Sequence, residues 1–408
     1  MSDIARTVDA VWRIEGARVV ATLARVTGDV GLAEDLAHDA VVDALAQWPS
    51  SGVPANPGGW LTTVARRKAI DGWRRRERLD ERYAALARDL DQTTEQEWEP
   101  IADDVLRLVL IACHPVLSRE SQVALTLRIV SSLTTEEIAR LLLVPVPTVQ
   151  ARITRAKKTL AAARVPFETP EQDAWGERLG AVLGVVYLVF TEGYAATSGE
   201  RWIRHELADE ALRLARVLAG LVPREPEVLG LLALLELQAA RFAARTGPGG
   251  EPVLLADQDR SRWDRAQIRR GRDALRRAGE LGRGLGPYGL QAAIAEQHAI
   301  APSVEETDWA RIVLLYEALG RVAPSPVVEL NRAVAVSRAA GPQEALALVE
   351  RIADDDALAG SHLVPSVRGE LLAQLGRTGE ARKELLVAAE RARNGRERAV
   401  LLAKARAL

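Results

Sequence analysis

The chain is poor in the residues from which many enzymes build their sites. Its 408 residues include one cysteine and five histidines. A single cysteine excludes both a disulfide within the chain and a thiolate cage for a metal ion. The histidines are scattered, without the regular spacing of metal ligands. Phosphate-binding loops, nucleophile elbows and dinucleotide fingerprints are missing too. We therefore expect no metal, no cofactor and no enzymatic activity.

Long apolar runs are also absent. The longest, LGAVLGVVYLVF at 179–190, has 12 residues. This is too short to span a bilayer and is typical of a buried helix. The first residues, MSDIARTVDAVWRIEG, carry early acids and no apolar core, which does not fit a signal peptide. We expect a cytoplasmic protein that makes no membrane contact.

Aromatic residues are scarce, with three Phe and five Tyr, whereas the hydrophobic and charged fractions, 48% and 27%, are ordinary. The abundance of Ala, Leu, Arg and Glu favours helices over sheets. The sequence therefore predicts an all-α fold, and its length is typical of two or three domains.

Composition divides the chain into four segments. Two helices and the Pro/Gly-rich loop PSSGVPANPGG, residues 49–59, precede a basic helix, and together they form a unit at 1–78. Residues 79–104 hold nine acids against two basic residues, which indicates an acidic linker at 79–102. A compact helical unit follows at 103–165. PFETP at 166–170 separates it from a helical domain at 171–408.

The last segment contains an internal echo. LNRAVAVSRAAGPQEALALVE and LLAQLGRTGEARKELLVAAE each place Glu-Ala after a helix that ends near Gly, at Glu344 and Glu380. The period is close to the roughly 34 residues of tetratricopeptide helix pairs. Unrelated helical hairpins also use Gly at the turn, so both interpretations stay open.

Positive charge is concentrated on the segment from Ile138 to Phe167, which has six basic residues and no acid. Before it, Thr134 and Glu137 fit a capping box at a helix start, and VPVP ends that helix. The next helix carries an apolar stripe on one face and a polar, basic face opposite. This pattern predicts a helix-turn-helix whose second helix enters the DNA major groove. The alternative is a structural hairpin with a solvated basic face.

A second basic segment, NPGGWLTTVARRKAIDGWRRR, interleaves Trp60 and Trp73 with arginines. Aromatic and Arg side chains together suit unstacked bases. Each Trp taken alone fits equally a buried anchor of a helical bundle.

The order of these segments resembles a bacterial sigma factor of the extracytoplasmic-function (ECF) type. AEDLAHDAVVDALAQWP looks like the polymerase-binding helix, GGWLTTVARRKAIDGWRRR like the part that melts and reads the −10 element, and LTTEEIARLLLVPVPTVQARITRAKKTL like the −35 reader. The remainder, with YLVFTEGYAAT and DQDRSRWD, resembles a subgroup with a TPR-like C-terminal extension that acts in regulation. Gln150-Ala151 departs from a frequent Lys-Ser pair, Arg67 from a frequent Asn, and Thr191 from another frequent Asn.

The resemblance implies core RNA polymerase and promoter DNA as partners, a contact between the extension and the sigma regions, and a protein or peptide ligand for the extension. It also implies a role for each of four sets of residues. The −35 contacts would come from Gln150, Arg152, Thr154, Arg155, Lys157 and Lys158, and the −10 contacts from Asn56, Trp60, Arg66, Arg67, Arg74, Arg75 and Arg76. Polymerase contacts would come from Glu34, Asp35, Asp39, Asp43 and Trp48, and regulatory contacts from Glu192, Tyr194, Asp259, Arg260 and Trp263.

Two other classes of protein remain to be weighed. A one-component helix-turn-helix regulator with a TPR-like sensor would share the basic hairpin, but it needs no Trp/Arg helix behind a loop. An enzyme could use Asp257 and Asp259 to hold a hard cation. An Asp before a helical run is more often a helix cap.

Overall fold

A computed structural model describes residues 3–76, 102–142, 144–168, 170–194, 203, 205–247, 252–392 and 394–408. Within these ranges the chain forms 18 α-helices and no β-strand, apart from one isolated bridge between Thr246 and Pro252. The predicted all-α fold is confirmed. The predicted acidic linker, except its last residue, lies outside the described residues.

The chain divides into two compact units, Met1–Val185 and Val186–Leu408. The helices of the first unit are α1 (Asp3–Thr27), α2 (Val30–Ser51), α3 (Pro57–Arg76), α4 (Ala102–Ala112), α5 (Arg119–Ile129), α6 (Thr135–Leu142) and α7 (Val146–Ala162), followed by the first part of α8 (Gln172–Tyr194).

The first three helices pack on one another, and the short turns between them have clear local causes. Gly28, at a φ of 68°, allows the sharp turn after α1. Asp29 then caps α2, because its Oδ1 accepts from the backbone N–H groups of Gly31 at 2.7 Å and Leu32 at 3.0 Å. The helix that contains AEDLAHDAVVDALAQWP thus has its start fixed by a side-chain cap.

The loop predicted at 49–59 is shorter in the structure. Helix α2 continues through Pro49 to Ser51, and α3 begins at Pro57. Pro49 lies in the last turn of α2, and the helix ends where the Gly52 N–H donates to the Trp48 carbonyl at 3.0 Å. Asn56 starts α3, since its Oδ1 accepts from the Gly59 N–H at 2.9 Å.

The predicted capping box is present at the start of α6. The Thr134 N–H donates to Oε2 of Glu137 at 2.8 Å, and the Glu137 N–H donates to Oγ1 of Thr134 at 3.1 Å. Helix α7 packs against α5 and α6. This packing buries the apolar face of α7 and leaves the opposite face exposed.

The boundary between the units lies later than the sequence indicated. Residues 171–185 belong to the first unit, where Arg178 of α8 donates to the Leu110 carbonyl at 3.0 Å. One 18-residue window of α8, Ala174–Thr191, is apolar enough by composition to cross a membrane, with a mean hydropathy of 1.2. Core helices of soluble proteins share that composition, and Val182, Leu183 and Val186 of α8 are buried.

The second unit continues with helices in a row. They are α9 (His205–Leu221), α10 (Pro226–Ala239), α11 (Arg265–Glu280), α12 (Pro287–Ile300), α13 (Trp309–Val322), α14 (Pro326–Ala339), α15 (Pro342–Ile352), α16 (Leu363–Gln374), α17 (Thr378–Arg391) and α18 (Gly395–Ala407).

The internal echo corresponds to two consecutive helix hairpins, α14–α15 and α16–α17. Their turns contain Gly341 and Gly376, at φ values of 110° and 73°, which glycine adopts without strain. Ala345 and Ala381, at equivalent positions, are each fully buried at 0% exposure. The predicted repeat of helix hairpins is therefore present in the fold.

Candidate nucleic-acid interface

Helix α7 sorts its side chains as the sequence predicts. Its buried residues are Val149, Ile153, Ala156 and Leu160. The opposite face is exposed at Gln150, Thr154, Arg155 and Lys158, while Arg152 is half-buried at the edge. A helix anchored by a narrow apolar stripe can place the exposed polar side chains against base edges and phosphates.

Lys157 differs from the other basic residues of α7 because it is already paired. Its Nζ forms ion pairs with Glu34 and with Asp35, the latter at 3.0 Å. A Cβ placed on Gly31 would lie 3.4 Å from the Lys157 side chain, so α7 rests closely on the start of α2. The structure thus joins one predicted DNA contact to two predicted polymerase contacts.

Glu34 is the centre of this junction. Its side chain is only 5% exposed, and its Oε1 accepts from Nε of Arg128 at 2.6 Å. Arg128 also donates to the Leu133 carbonyl at 3.0 Å and approaches Nε2 of His38 at 2.7 Å. One buried carboxylate therefore ties α2 to α5 and α7.

The charges at the junction shift the pKa values of its members. Burial by itself would raise the pKa of Glu34, but the positive charges of Arg128 and Lys157 outweigh it and hold that pKa below its usual value. Burial likewise opposes the charged form of Lys157, and the Glu34 and Asp35 carboxylates together outweigh it and raise the Lys157 pKa. The ordinary burial effect dominates at His38, whose pKa is lowered by burial and by Arg128.

Two further ion pairs join helix α1 to helices α6 and α4. Arg13 of α1 pairs with Glu137, the capping residue of α6. Arg25 of α1 pairs at 2.9 Å with Asp104 of α4, whose side chain is 1% exposed and also accepts from Arg107. Sequence reasoning missed Arg13, Arg25 and Asp104, because no local pattern marks such partners. Arg128 offered a faint signal as a lone cation in the mostly apolar stretch VALTLRI.

The predicted −10 residues occupy varied environments. Asn56 caps α3 with its side chain. The Trp60 ring meets that of Trp48 edge-to-face at 5.4 Å, which is a packing contact. Arg67 is exposed, whereas Arg66 is half-buried and its pKa is lowered by burial and by Arg25. The side chains of three other predicted contacts lie outside the described residues, namely Arg74, Arg75 and Arg76.

The predicted polymerase contacts also occupy different environments, some exposed and some buried. Asp35 is 74% exposed despite its pairing, and Asp39 is exposed. Asp43 pairs with Lys68 at 2.9 Å. Trp48 is 1% exposed, so it is not part of the exposed surface in this structure, and its polymerase contact stays a prediction. Trp48 is a core anchor, because burying a large aromatic ring removes much apolar surface from water.

The predicted regulatory residues come together in the second unit. Tyr194, at the end of α8, accepts through its hydroxyl from Arg241 at 2.5 Å, and Arg241 lies 6.0 Å from the centre of the Trp263 ring. Arg260 lies 4.7 Å from the same ring. Asp259 is a cap, since its Oδ1 accepts from the N–H and hydroxyl of Ser261 at 2.9 and 2.6 Å. The Glu192 side chain lies outside the described residues.

Comparison with known proteins agrees with these features. Residues 12–79 match the family model for Sigma-70 region 2, and residues 107–160 match that for Sigma-70, region 4. Residues 178–279 match a family of unknown function (DUF6596). No solved structure matches the chain.

The two matched regions define the class: this is a protein of the RNA polymerase sigma factor type, with a role in promoter recognition. An uncharacterized protein of Rhizobium meliloti (strain 1021) is 45% identical over 377 residues, which cover 90% of this chain and 87% of that protein. The chain belongs to one family with that protein. Regions 2 and 4 imply interaction with core RNA polymerase and with promoter DNA.

Proposed function

We propose that the chain is an alternative sigma factor of the ECF type, which acts in the cytoplasm and is regulated by its own C-terminal helical domain. The observation that carries the proposal is the sorting of α7. Its apolar stripe is buried while Gln150, Thr154, Arg155 and Lys158 are exposed, within a segment that matches Sigma-70, region 4. Such a helix suits base reading in the −35 element.

The region-2 segment would supply the remaining contacts. Exposed Asp35 and Asp39 on α2 suit a basic surface of core polymerase, and Arg67 on α3 suits the −10 element. Because Asn56 is a helix cap, a base captured at the loop would have to bond to it from the exposed side. The acidic linker at 79–102 would follow the path of nascent RNA.

The junction at Glu34 suggests how these contacts are controlled. In the free chain, Lys157 forms ion pairs with Glu34 and Asp35. While these pairs last, the predicted DNA contact is not free to bind DNA and the two predicted polymerase contacts are not free to bind polymerase. We infer that this is a closed form and that binding to core polymerase separates α2 from α7. Asp35→Asn together with Glu34→Gln should then raise the affinity of the free protein for promoter DNA, measured by fluorescence anisotropy. An unchanged or lower affinity would count against a closed form.

The C-terminal unit would act as the regulatory module. Its consecutive helix hairpins fit TPR-like stacking, which creates concave surfaces for a protein or peptide. Its charge is nearly balanced, with 32 basic and 33 acidic residues over 171–408, and this argues against a further DNA-binding surface.

Transcription in vitro provides the decisive experiment for the sigma role. Purified core polymerase and the full chain are incubated with genomic DNA, and transcript 5′ ends are mapped. We expect a discrete set of start sites sharing upstream −35 and −10 elements, and none with core polymerase alone. The double variant Arg155→Ala, Lys158→Ala should lose these starts while keeping its helical circular dichroism.

The one-component regulator is the alternative. It predicts tight binding of specific DNA by the protein alone and no complex with core polymerase on size-exclusion chromatography. Those two results together would reject the sigma role.

A further inference from the structure

A cluster of arginines in the second unit is arranged around aromatic rings. The Arg245 guanidinium lies 3.4 Å from the centre of the Tyr194 ring, and its Nη1 donates to the Tyr194 carbonyl at 2.6 Å. Arg241 donates to the Tyr194 hydroxyl and to Oε1 of Gln238. Arg260, stacked on Trp263, donates through Nη1 to the carbonyls of His298 and Ala301, each at 2.6 Å.

The acceptors around Arg241 and Arg260 are neutral. Among the described residues neither side chain forms an ion pair, and what they bond to is a phenol, an amide and backbone carbonyls. Glu305 acts on Arg260 only through its charge and is itself fully exposed. The positive charges of Arg241 and Arg260 are therefore not balanced by an ion pair among the described side chains.

His298 does not correct this imbalance. Burial, with Arg241 and Arg260 nearby, lowers its pKa to about 4, so it is neutral at physiological pH. Arg245 is 5% exposed, and burial together with Arg241 lowers its pKa to about 10, which leaves it protonated. Arg241 and Arg260 themselves are half-buried, so their charges are partly removed from water and an anion close to both would be attracted by both.

The cluster also contains buried hydrogen-bond donors that have no acceptor among the described residues. Nη2 of Arg260 and Nε1 of Trp263 are buried and have no acceptor in the described structure. The Trp263 residue as a whole is only 2% exposed. Buried donors are rarely unsatisfied in native proteins, and an ion or water often explains those that are. An acceptor with several oxygens is one group that could satisfy both donors.

We propose that Arg241, Arg260 and Trp263 form a binding site for a small oxyanion, the phosphate or carboxylate group of a soluble ligand. A guanidinium presents paired N–H groups that match the oxygens of either anion. The Arg260 guanidinium lies 4.7 Å from the centre of the Trp263 ring, and that of Arg241 lies 6.0 Å from the centres of both the Tyr194 and Trp263 rings. Two segments singled out from the sequence, YLVFTEGYAAT and DQDRSRWD, thus supply one site. The proposal stands whether or not the chain is a sigma factor.

Calorimetric titration of the full chain tests the site. Inorganic phosphate and acetate are each titrated at constant ionic strength, with chloride as the reference anion. We expect saturable one-site binding of phosphate or acetate, and the stronger of the two identifies the ligand group. Arg241→Gln and Arg260→Gln should each weaken this binding at least about tenfold, the order of a lost charge-assisted hydrogen bond. Arg262→Gln removes an exposed arginine of the same short helix and should leave it unchanged.

A second measurement uses only the unaltered protein. The His298 imidazole resonances should shift on addition of the bound anion and saturate with the calorimetric affinity, because the imidazole lies beside the Arg241 and Arg260 charges. Absence of binding beyond chloride would overturn the proposal, and it would indicate that the chain compensates the cluster itself. Equal weakening by Arg262→Gln would also overturn it.

Discussion

The two units contain charge clusters of opposite design, one buried around Glu34 and one half-buried around Arg241 and Arg260. In the first unit, Glu34 is enclosed by Arg128 and Lys157, so negative and positive groups from distant segments compensate one another. In the second unit, Arg241 and Arg260 bond to neutral acceptors and lie against aromatic rings. A self-compensated cluster holds helices together, whereas an uncompensated one favours an external anion. The difference separates a structural junction from a binding site, although both are rich in arginine or lysine.

The largest expected effect comes from breaking the compensated cluster. Glu34→Gln leaves Arg128 and Lys157 largely buried beside a neutral amide, so we expect a loss of about 3 kcal/mol in the free energy of unfolding. Urea denaturation measures it. Asp35→Asn is the matched control, because Asp35 is 74% exposed and should change stability by less than about 0.5 kcal/mol. A similar effect of both variants would remove Glu34 from the centre of the junction.

Acid should weaken the same cluster. The pKa of Glu34 is lower in the folded chain than its ordinary value of 4.5. Its carboxylate therefore stabilises the fold above pH 4.5, and this contribution is lost as the pH falls through the lowered value. Between about pH 6 and about pH 3, Glu34→Gln should lose less stability than the unaltered protein, as measured by urea denaturation at each pH. Parallel losses in both proteins would contradict the assignment.

Removing a cation from the uncompensated cluster should cost less. Arg260→Gln gives up two bonds to carbonyls but also relieves repulsion, so we expect a change of no more than about 1 kcal/mol without added anion. Burial is the main cause of the low pKa of His298, about 4, followed by Arg241 and Arg260, so this pKa should rise in the variant by the Arg260 contribution only. Nuclear magnetic resonance titration measures the shift. A loss as large as that of Glu34→Gln would show that Arg260 is a structural residue.

Exposed charges on α7 should affect stability least. Arg155→Ala and Lys158→Ala should each change it by less than about 0.5 kcal/mol. Their effects belong to DNA binding, measured by anisotropy on a set of mapped promoters. Arg155→Ala should cost about 1–3 kcal/mol at one base position, and Lys158→Ala should weaken all sequences and reduce the salt slope by about one unit. Uniform and equal losses would leave both residues as phosphate contacts only.

Local patterns predicted much of the fold. The capping box of Thr134 and Glu137 and the four-residue stripe of α7 appear as expected, because both depend on residues within a few turns of helix. The repeated hairpins were visible in the 344 and 380 regions for the same reason. The loop before α3 was overestimated, since the sequence does not show that Pro49 is accommodated within α2.

The sequence was less informative about which residues contact each other in the folded protein. The resemblance implied that Trp48 contacts polymerase, yet the fold buries it against Trp60. Helical periodicity placed Lys157 beside the apolar stripe and Lys158 on the opposite arc, but it did not show that Glu34 and Asp35 would pair with Lys157. The burial of Trp48 and the partners of Lys157 both depend on which other helix covers that side.

The sequence by itself determined that this protein is helical, that a basic helix follows a capped one, and that its segments come in the order of sigma regions 2 and 4. These properties follow from composition, side-chain periodicity and motif order, which act locally along the chain. The tertiary structure alone decided that Glu34 meets Arg128 across 94 residues and that Arg260 approaches the His298 backbone across 38. Charge compensation is a sum over neighbours in space, and it therefore becomes visible only when the helices are packed.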